Sequence, residues 1–223
     1  LLGRLLKMDR GIALLTSVGS GICGAAAVLG AESTIRARPY KTAVAVSTVV
    51  IFGTISMFLY PVVYRHGIVS LTPEQMGIYT GATLHEVAHV VGAGNAMNGE
   101  ISDAAIIVKM IRVMMLAPVL LVMSLLLARR TKGGAGRAKV TIPWFAFGFL
   151  AVIGFNSLDL LPEAAVAGIN SFDTFLLTMA MTALGAETSI EKFKRAGAKP
   201  FLLAGLLYLW LLGGGYLLSR WIL

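Results

Sequence analysis

The residues most capable of chemistry lie together in one apolar stretch, "LHEVAHVVGAG". It contains His85-Glu86-x-x-His89, the pattern in which two histidines one helical turn apart bind zinc while the glutamate activates water. A third zinc ligand would have to come from elsewhere in the chain, and Asp159 in "FNSLDLLP" is the candidate. The motif therefore keeps a membrane-embedded zinc metalloprotease open as one interpretation.

The composition indicates the solvent in which this stretch must fold. Of the 223 residues, 57% are hydrophobic and 13% are charged, and the mean hydropathy is +0.81. Because soluble globular domains carry about 25% charged residues, the chain is predicted to be a membrane protein. The excess of basic residues, a net charge of +8, lies mostly in loops between apolar segments, as membrane topology requires. We therefore expect no nucleic-acid partner. No cofactor is expected either.

Seven apolar segments organise the chain. A transmembrane helix needs about 20 apolar residues to cross about 30 Å of hydrocarbon. The segments are roughly 12–30, 42–63, 77–94, 104–128, 142–161, 173–188 and 200–222. No connection between them is long enough to separate two domains, so residues 1–223 are interpreted as a single transmembrane domain. Because the sequence begins with what resembles the end of a helix, we expect further N-terminal spans in the natural protein.

The basic residues predict that the third segment does not cross the membrane as a simple helix. Lys and Arg are enriched in cytoplasmic loops, which places both the turn 36–41 and the loop 129–139 on the cytoplasmic side. Three complete crossings between them would put the two on opposite sides. Segment 77–94 is rich in glycine and carries three ionisable side chains, so a broken or re-entrant helix there resolves the conflict.

An internal repeat supports this interpretation. A shift of 62 residues aligns Gly19–Ala31 with Gly81–Ala93, with five identities in thirteen positions, and the spans that follow also align. If segment 77–94 re-enters, those following spans run in opposite directions, as in secondary transporters whose interrupted helices meet near the bilayer midplane. The predicted fold is all-α: a polytopic helical membrane protein with inverted repeats and two opposed broken helices.

Ordered motifs along the whole chain resemble those of a known family. "GSGICGAAAVLGAES", "GATLHEVAHVVGAG", "KMIRVMMLAPVLL" and "RAGAKPFLLAGLLYLW" are similar to the YeiH-type sulfate-exporter family of bacterial inner-membrane proteins. The resemblance implies a multi-pass protein of the inner membrane, a fold like that of cation/proton antiporters, and transport rather than enzymatic activity. Glutamine is usual in this family where the present chain has His89, so the zinc pattern would arise here from a single replacement.

Two basic residues within an apolar segment are the first candidates for a binding site. Ionisable groups in the hydrocarbon are costly and tend to mark ion or substrate paths. Lys109 and Arg112 lie three residues apart on one helix face. They are predicted either to bind an anion or to form a structural ion pair with Glu86, and both interpretations predict contact between Glu86 and this basic face.

The ends of half-helices supply further groups for an anion, because a helix N-terminus presents unpaired N–H groups and about half a positive charge. The predicted substrate-binding residues are Ser20, Gly21, Cys23, Gly24, Thr83, His85, Lys109 and Arg112. Alternatively, the glycines among them serve only close helix packing. Glu86 and His85 are predicted to couple transport to protons, because buried carboxyl and imidazole groups can titrate near physiological pH.

These residues together predict a secondary transporter that moves a small anion, such as sulfate or an organosulfonate, by alternating access with proton coupling. The expected partners are this anion and the lipid bilayer, with a homodimer left open. The alternative, a zinc metalloprotease, would use His85, His89 and Asp159 as ligands.

Overall fold

The structure is a computed structural model that describes residues 2–130, 144–158, 160–187 and 197–222. All regular secondary structure within these ranges is α-helical, as predicted. The helices are α1 (Leu2–Leu5), α2 (Arg10–Gly21), α3 (Ala25–Ile35), α4 (Pro39–Arg65), α5 (Pro73–Thr83), α6 (Val87–Met97), α7 (Gly99–Met114), α8 (Leu116–Arg130), α9 (Trp144–Asn156), α10 (Glu163–Glu187) and α11 (Ala198–Ile222). Asp159 and most of the basic loops near 131–143 and 188–196 lie outside the described residues.

Within the described ranges, three helical stretches are long and apolar enough to cross a membrane: Pro39–Arg65, Gly99–Leu126 and Ala198–Trp221. The second of them combines α7 with the start of α8. Large apolar side chains on these stretches are exposed, among them Phe58 and Trp210. Exposed apolar surface of this extent fits contact with lipid rather than with water.

The predicted interruptions occur at the same place in two successive units of the chain. The first break, at residues 22–24, separates α2 from α3, and the second, at residues 84–86, separates α5 from α6. The two breaks are 62 residues apart, which is the offset of the sequence repeat. A long helix follows each broken one: α4 in the first unit and α7 with α8 in the second. The inverted orientation of the two units stays a prediction.

Each break has a local cause. Gly24 has a φ of +72°, a conformation that other residues adopt only with strain, and α3 begins at the next residue. In the second unit, Leu84 and Glu86 are both extended, with ψ angles of 149° and 155°. The extended backbone ends α5 and leaves its last carbonyl groups without helical partners.

Close packing of α5 against α7 fixes the second break in place. A Cβ on Gly77 would lie 2.6 Å from the Cβ of Ala104, and one on Gly81 would overlap the carbonyl oxygen of Ala105. Absence of a side chain at both glycines therefore lets the two backbones approach closely. On the other side of α5, the hydroxyl of Tyr79 donates a hydrogen bond of 3.2 Å to the carbonyl oxygen of Leu212 on α11.

Candidate functional site

The two breaks contact each other through a carboxylate. Oε1 of Glu86, in the second break, accepts a hydrogen bond of 3.2 Å from the backbone N–H of Ala25. Ala25 is the first residue of α3, so a side chain from one broken helix caps the N-terminal end of the other. A negative charge is favourable there because the first N–H groups of a helix carry partial positive charge.

The side chain of Lys109 on α7 contacts both breaks. Its side chain is fully buried, and Nζ donates hydrogen bonds to the carbonyl oxygens of Ile22 at 3.2 Å, Leu84 at 2.7 Å and His85 at 2.6 Å. An ammonium group has three N–H donors, so backbone carbonyls use all of them. Lys109 therefore links the two interrupted helices through carbonyl groups that have no partner within their own helices.

Arg112, one turn further along α7, performs a similar role. Its guanidinium donates to the carbonyl oxygen of Leu84 at 2.8 Å and to that of Ser20 at 2.9 Å, with a longer contact of 3.4 Å to Gly21. Positive charge at the C-terminal ends of α2 and α5 complements the partial negative charge of their free carbonyls.

The structural ion pair that one of the two interpretations placed between Glu86 and Lys109 or Arg112 is not formed among the described residues. Across the described ranges, Lys41 forms an ion pair with Asp9 at 2.8 Å, and the nearest basic group to the Glu86 carboxylate is the imidazole of His89, whose Nδ1 lies 3.8 Å from Oε2. The physical reason is that the interrupted helices expose their own polar backbone groups in an apolar interior. The cations bind free carbonyls and the carboxylate binds a free N–H, each at the helix end of opposite sign.

Both histidines are buried beside the carboxylate. Nε2 of His89 lies 3.4 Å from the hydroxyl oxygen of Thr54 on α4, and its Nδ1 lies 3.8 Å from Oε2 of Glu86. A Cβ on Gly53 would lie 2.5 Å from that Nδ1, so the glycine provides the room for the imidazole. His85 lies within the break, with its ring centroid 6.3 Å from that of Tyr208 on α11.

Several buried polar atoms around the breaks have no hydrogen-bond partner among the described residues. They include Oε2 of Glu86, Nδ1 of His85, Nδ1 of His89 and Oγ of Ser20. No side chain caps the N-terminus of α6 either. Buried polar groups are nearly always paired in folded proteins, so unpaired groups of this kind indicate a place for a ligand or water.

The remaining predicted residues are distributed unevenly around this centre. Gly24 contacts Glu86, since a Cβ there would overlap that side chain. Gly21 is exposed, and Cys23 is buried within a hydrophobic cluster. The hydroxyl of Thr83 is engaged, donating to the carbonyl oxygen of Tyr79 at 2.5 Å and lying 2.7 Å from the hydroxyl of Tyr60.

Sequence reasoning did not identify three residues that shape the site: Gly53, Tyr60 and Tyr208. Tyr60 stacks on Tyr79 with ring centroids 4.9 Å apart and bonds the last residue of α5, so it braces the second break. The sequence feature that could have identified them is a glycine or a tyrosine in the middle of an otherwise aliphatic span. A glycine there allows close packing, and a buried tyrosine hydroxyl requires a hydrogen-bond partner.

The geometry bears on the zinc interpretation. His85 lies in the extended break and His89 lies on α6, so the two are not separated by one turn of a continuous helix. In the part of the chain that the structure describes, no group of three or more His, Cys, Asp or Glu side chains is placed to hold a metal ion. The third ligand of this interpretation, Asp159, is outside that part.

Metal analysis tests this interpretation directly. We expect purified full-length protein to contain far less than one zinc ion per chain, because the two histidines lack the helical geometry of the motif. The variant His89→Gln should have the same metal content and the same thermal unfolding midpoint in excess zinc. Stoichiometric zinc by mass spectrometry that is lost in His89→Gln would favour the protease instead.

Comparison with known proteins identifies the family. Residues 1–204 match the family described as Conserved hypothetical protein 698. The chain is also 72% identical over 225 residues to a UPF0324 membrane protein of Bacteroides thetaiotaomicron. This alignment covers 99% of the present chain and 67% of that relative. The chain belongs to the UPF0324 membrane protein family.

Other UPF0324 relatives show how much of these proteins the chain represents. A UPF0324 membrane protein of Bordetella bronchiseptica is 52% identical over 216 residues, covering 96% of this chain and 67% of the relative. The UPF0324 inner membrane protein YeiH of Escherichia coli K12 is 47% identical over 213 residues, covering 95% of this chain and 61% of YeiH. The chain thus spans 61 to 67% of the length of these relatives.

These relatives confirm the resemblance to the YeiH-type family and the location in the bacterial inner membrane. The apolar helices of the chain agree with that location. None of these three names states a substrate. No solved structure matches the UPF0324 chain.

Proposed function

We propose that the protein is a secondary transporter that moves a small anion, such as sulfate or an organosulfonate, across the inner membrane by proton-coupled alternating access. The observation that carries this proposal is the pair of helix breaks joined through Glu86 and Lys109. Non-helical backbone at membrane depth is tolerated only where protein or a water-filled cavity satisfies it. In secondary transporters, such paired interruptions form the substrate site.

The charges around the breaks favour an anion over a cation. Lys109 and Arg112 bring two positive charges to the breaks, while Glu86 brings one negative charge. In addition, the N-termini of α3 and α6 lie close together, because Glu86, the N-cap residue of α6, accepts the N–H of Ala25 at the start of α3, and no side-chain hydrogen bond caps α6 within the described residues. Helix N-termini bind sulfate, phosphate and carboxylate groups in many proteins.

Glu86 is the residue that best fits proton coupling. Glu86 is only 6% exposed, and its Oε2 has no hydrogen-bond partner among the described residues. His89 lies 3.8 Å away as a second group able to carry a proton. A change in the protonation of Glu86 alters the charge beside the N-terminus of α3 by one unit, which is the kind of local change that can bias a transporter between two states.

Transport in vesicles tests this function. Full-length protein reconstituted into liposomes is expected to accumulate labelled sulfate or methanesulfonate when a pH gradient is imposed. Glu86→Gln should reduce the gradient-driven part of uptake about 5- to 150-fold, the range that typical coupling free energies produce. The matched control is Glu74→Gln, the same substitution at an exposed position in the first turn of α5, which should leave uptake unchanged. Uptake no greater than in protein-free vesicles for either anion would contradict the proposal.

A further inference from the structure

The carboxylate of Glu86 occupies a position that a transported anion would also need. Its Oε1 accepts the N–H of Ala25 at the start of α3. The first backbone bond from within α3 back to its N-cap runs from the N–H of Val28 to the carbonyl oxygen of Gly24, at 3.2 Å. The N–H groups of Ala26 and Ala27 therefore precede the helical ladder, and an oxyanion bound to this helix end would use the same set of donors.

The attachment of Glu86 to α3 is slight. One hydrogen bond of 3.2 Å holds Oε1, while Oε2 is buried without a partner. Nδ1 of His89, also buried and unpaired, lies 3.8 Å from Oε2. The imidazole thus offers a second hydrogen-bond partner close by, to which the side chain can turn when it releases Ala25.

The other charged and titratable groups near Glu86 are held by different partners. Lys109 and Arg112 on α7 donate to backbone carbonyls of the two breaks, and exchanging these bonds for Glu86 would leave buried carbonyls unpaired. Cys23 is buried in the first break, and His85 adjoins Glu86 in the second. Beside the histidines, α4 presents Gly53 and Thr54, and α11 presents Tyr208.

We propose that Glu86 is a tethered competitor of the transported anion. Ionised, it binds the N–H of Ala25 and closes the N-terminus of α3. When it takes up a proton and turns toward His89, the first N–H groups of α3 become available to an oxygen atom of the substrate. This inference rests on the proposed function and adds two things to it: the ligand is an oxyanion held by backbone N–H groups, and one proton enters with each anion, so both move in the same direction.

Equilibrium binding of labelled sulfate to purified full-length protein tests this competition. If each anion requires uptake of one proton, the affinity of wild-type protein should rise as the pH falls from about pH 8 to about pH 5, by about tenfold per pH unit while Glu86 is ionised in the free protein, and should level off once it is protonated. Sulfate keeps its double charge over this range, so the slope reports the protein. Glu86→Gln, with a neutral and weaker occupant of the helix end, should bind sulfate with high affinity at all these pH values. The control Glu74→Gln makes the same substitution at an exposed position in the first turn of α5 and should retain the slope.

A measurement on wild-type protein alone covers the case in which Glu86→Gln does not fold. Sulfate binding in a weakly buffered solution should remove about one proton per anion from the solvent, as a pH indicator records. Binding without proton uptake, or equal pH slopes in wild type and Glu86→Gln, overturns the competition while leaving anion transport as the function. If neither sulfate nor methanesulfonate binds wild-type protein at any pH tested, both proposals fail together.

Discussion

Replacing Lys109 with methionine should destabilise the centre of the molecule and abolish transport. Methionine is similar in length but donates no hydrogen bond, so the carbonyl groups of Ile22, Leu84 and His85 lose their shared partner. A hydrogen bond to a charged group contributes about 1.5–3 kcal/mol, and a buried polar group left without a partner costs about 1–3 kcal/mol. We expect the free energy of unfolding to fall by about 3–5 kcal/mol, seen as a lower thermal unfolding midpoint in detergent.

A lipid-facing position on the same helix provides the control for this substitution. Ile111 is 56% exposed, and Ile111→Met should change the free energy of unfolding by less than about 0.5 kcal/mol. A Lys109→Met protein with an unchanged midpoint but no sulfate binding would contradict the structural role assigned to Lys109. That result would instead indicate that the ammonium group of Lys109 binds the anion directly, which is one of the two interpretations drawn from the sequence.

Gly81→Ala is expected to have the second largest effect. The added Cβ would overlap the carbonyl oxygen of Ala105 and lie 2.9 Å from the Cβ of Val108 on α7. A backbone oxygen cannot rotate away, so α5 must move away from α7 and shift the carbonyl of Leu84 relative to Lys109. Overpacking typically costs about 1–3 kcal/mol, and we expect a net loss of stability and transport although alanine favours a helix by about 1 kcal/mol over glycine.

Gly205→Ala is the matched control because it gains the same helix propensity without overlap. The nearest atom to a Cβ there is Cζ of Phe52 at 3.4 Å, an ordinary van der Waals contact. This variant should be as stable as the wild type or slightly more so in the same thermal unfolding assay. Equal midpoints for Gly81→Ala and Gly205→Ala would show that α5 and α7 are not held at the distance described.

The positions of the interruptions could be predicted from sequence because their causes are local. Glycine-rich apolar segments, a repeat offset of 62 residues and ionisable residues at membrane depth all pointed to the two regions that are broken. The predicted break also bears on the zinc alternative, which depends on the spacing of His85 and His89. Their spacing suggests one helical turn only if the helix is continuous, and the break at residues 84–86 removes that condition.

The partners of the buried charges could not be predicted, since they are backbone atoms. A sequence shows that Lys109, Arg112 and Glu86 need opposite charge, and side chains are the visible candidates. It does not show which carbonyl and N–H groups become free, because that depends on where each helix ends. Nor does it show that α7 packs closely against α5 at Gly77 and Gly81 while the side chain of Lys109 also reaches the first break.

Lys109 also affects the order in which the protein can be assembled during biosynthesis. A lysine near the centre of an inserting helix costs about 2.5–3.5 kcal/mol. Its three carbonyl partners belong to Ile22, Leu84 and His85, which precede it in the chain and leave the ribosome earlier. The nascent α7 therefore enters a bilayer that already contains the carbonyl groups that accept hydrogen bonds from Lys109. A circularly permuted gene starting at Gly99 would present the same ammonium to lipid before those groups exist.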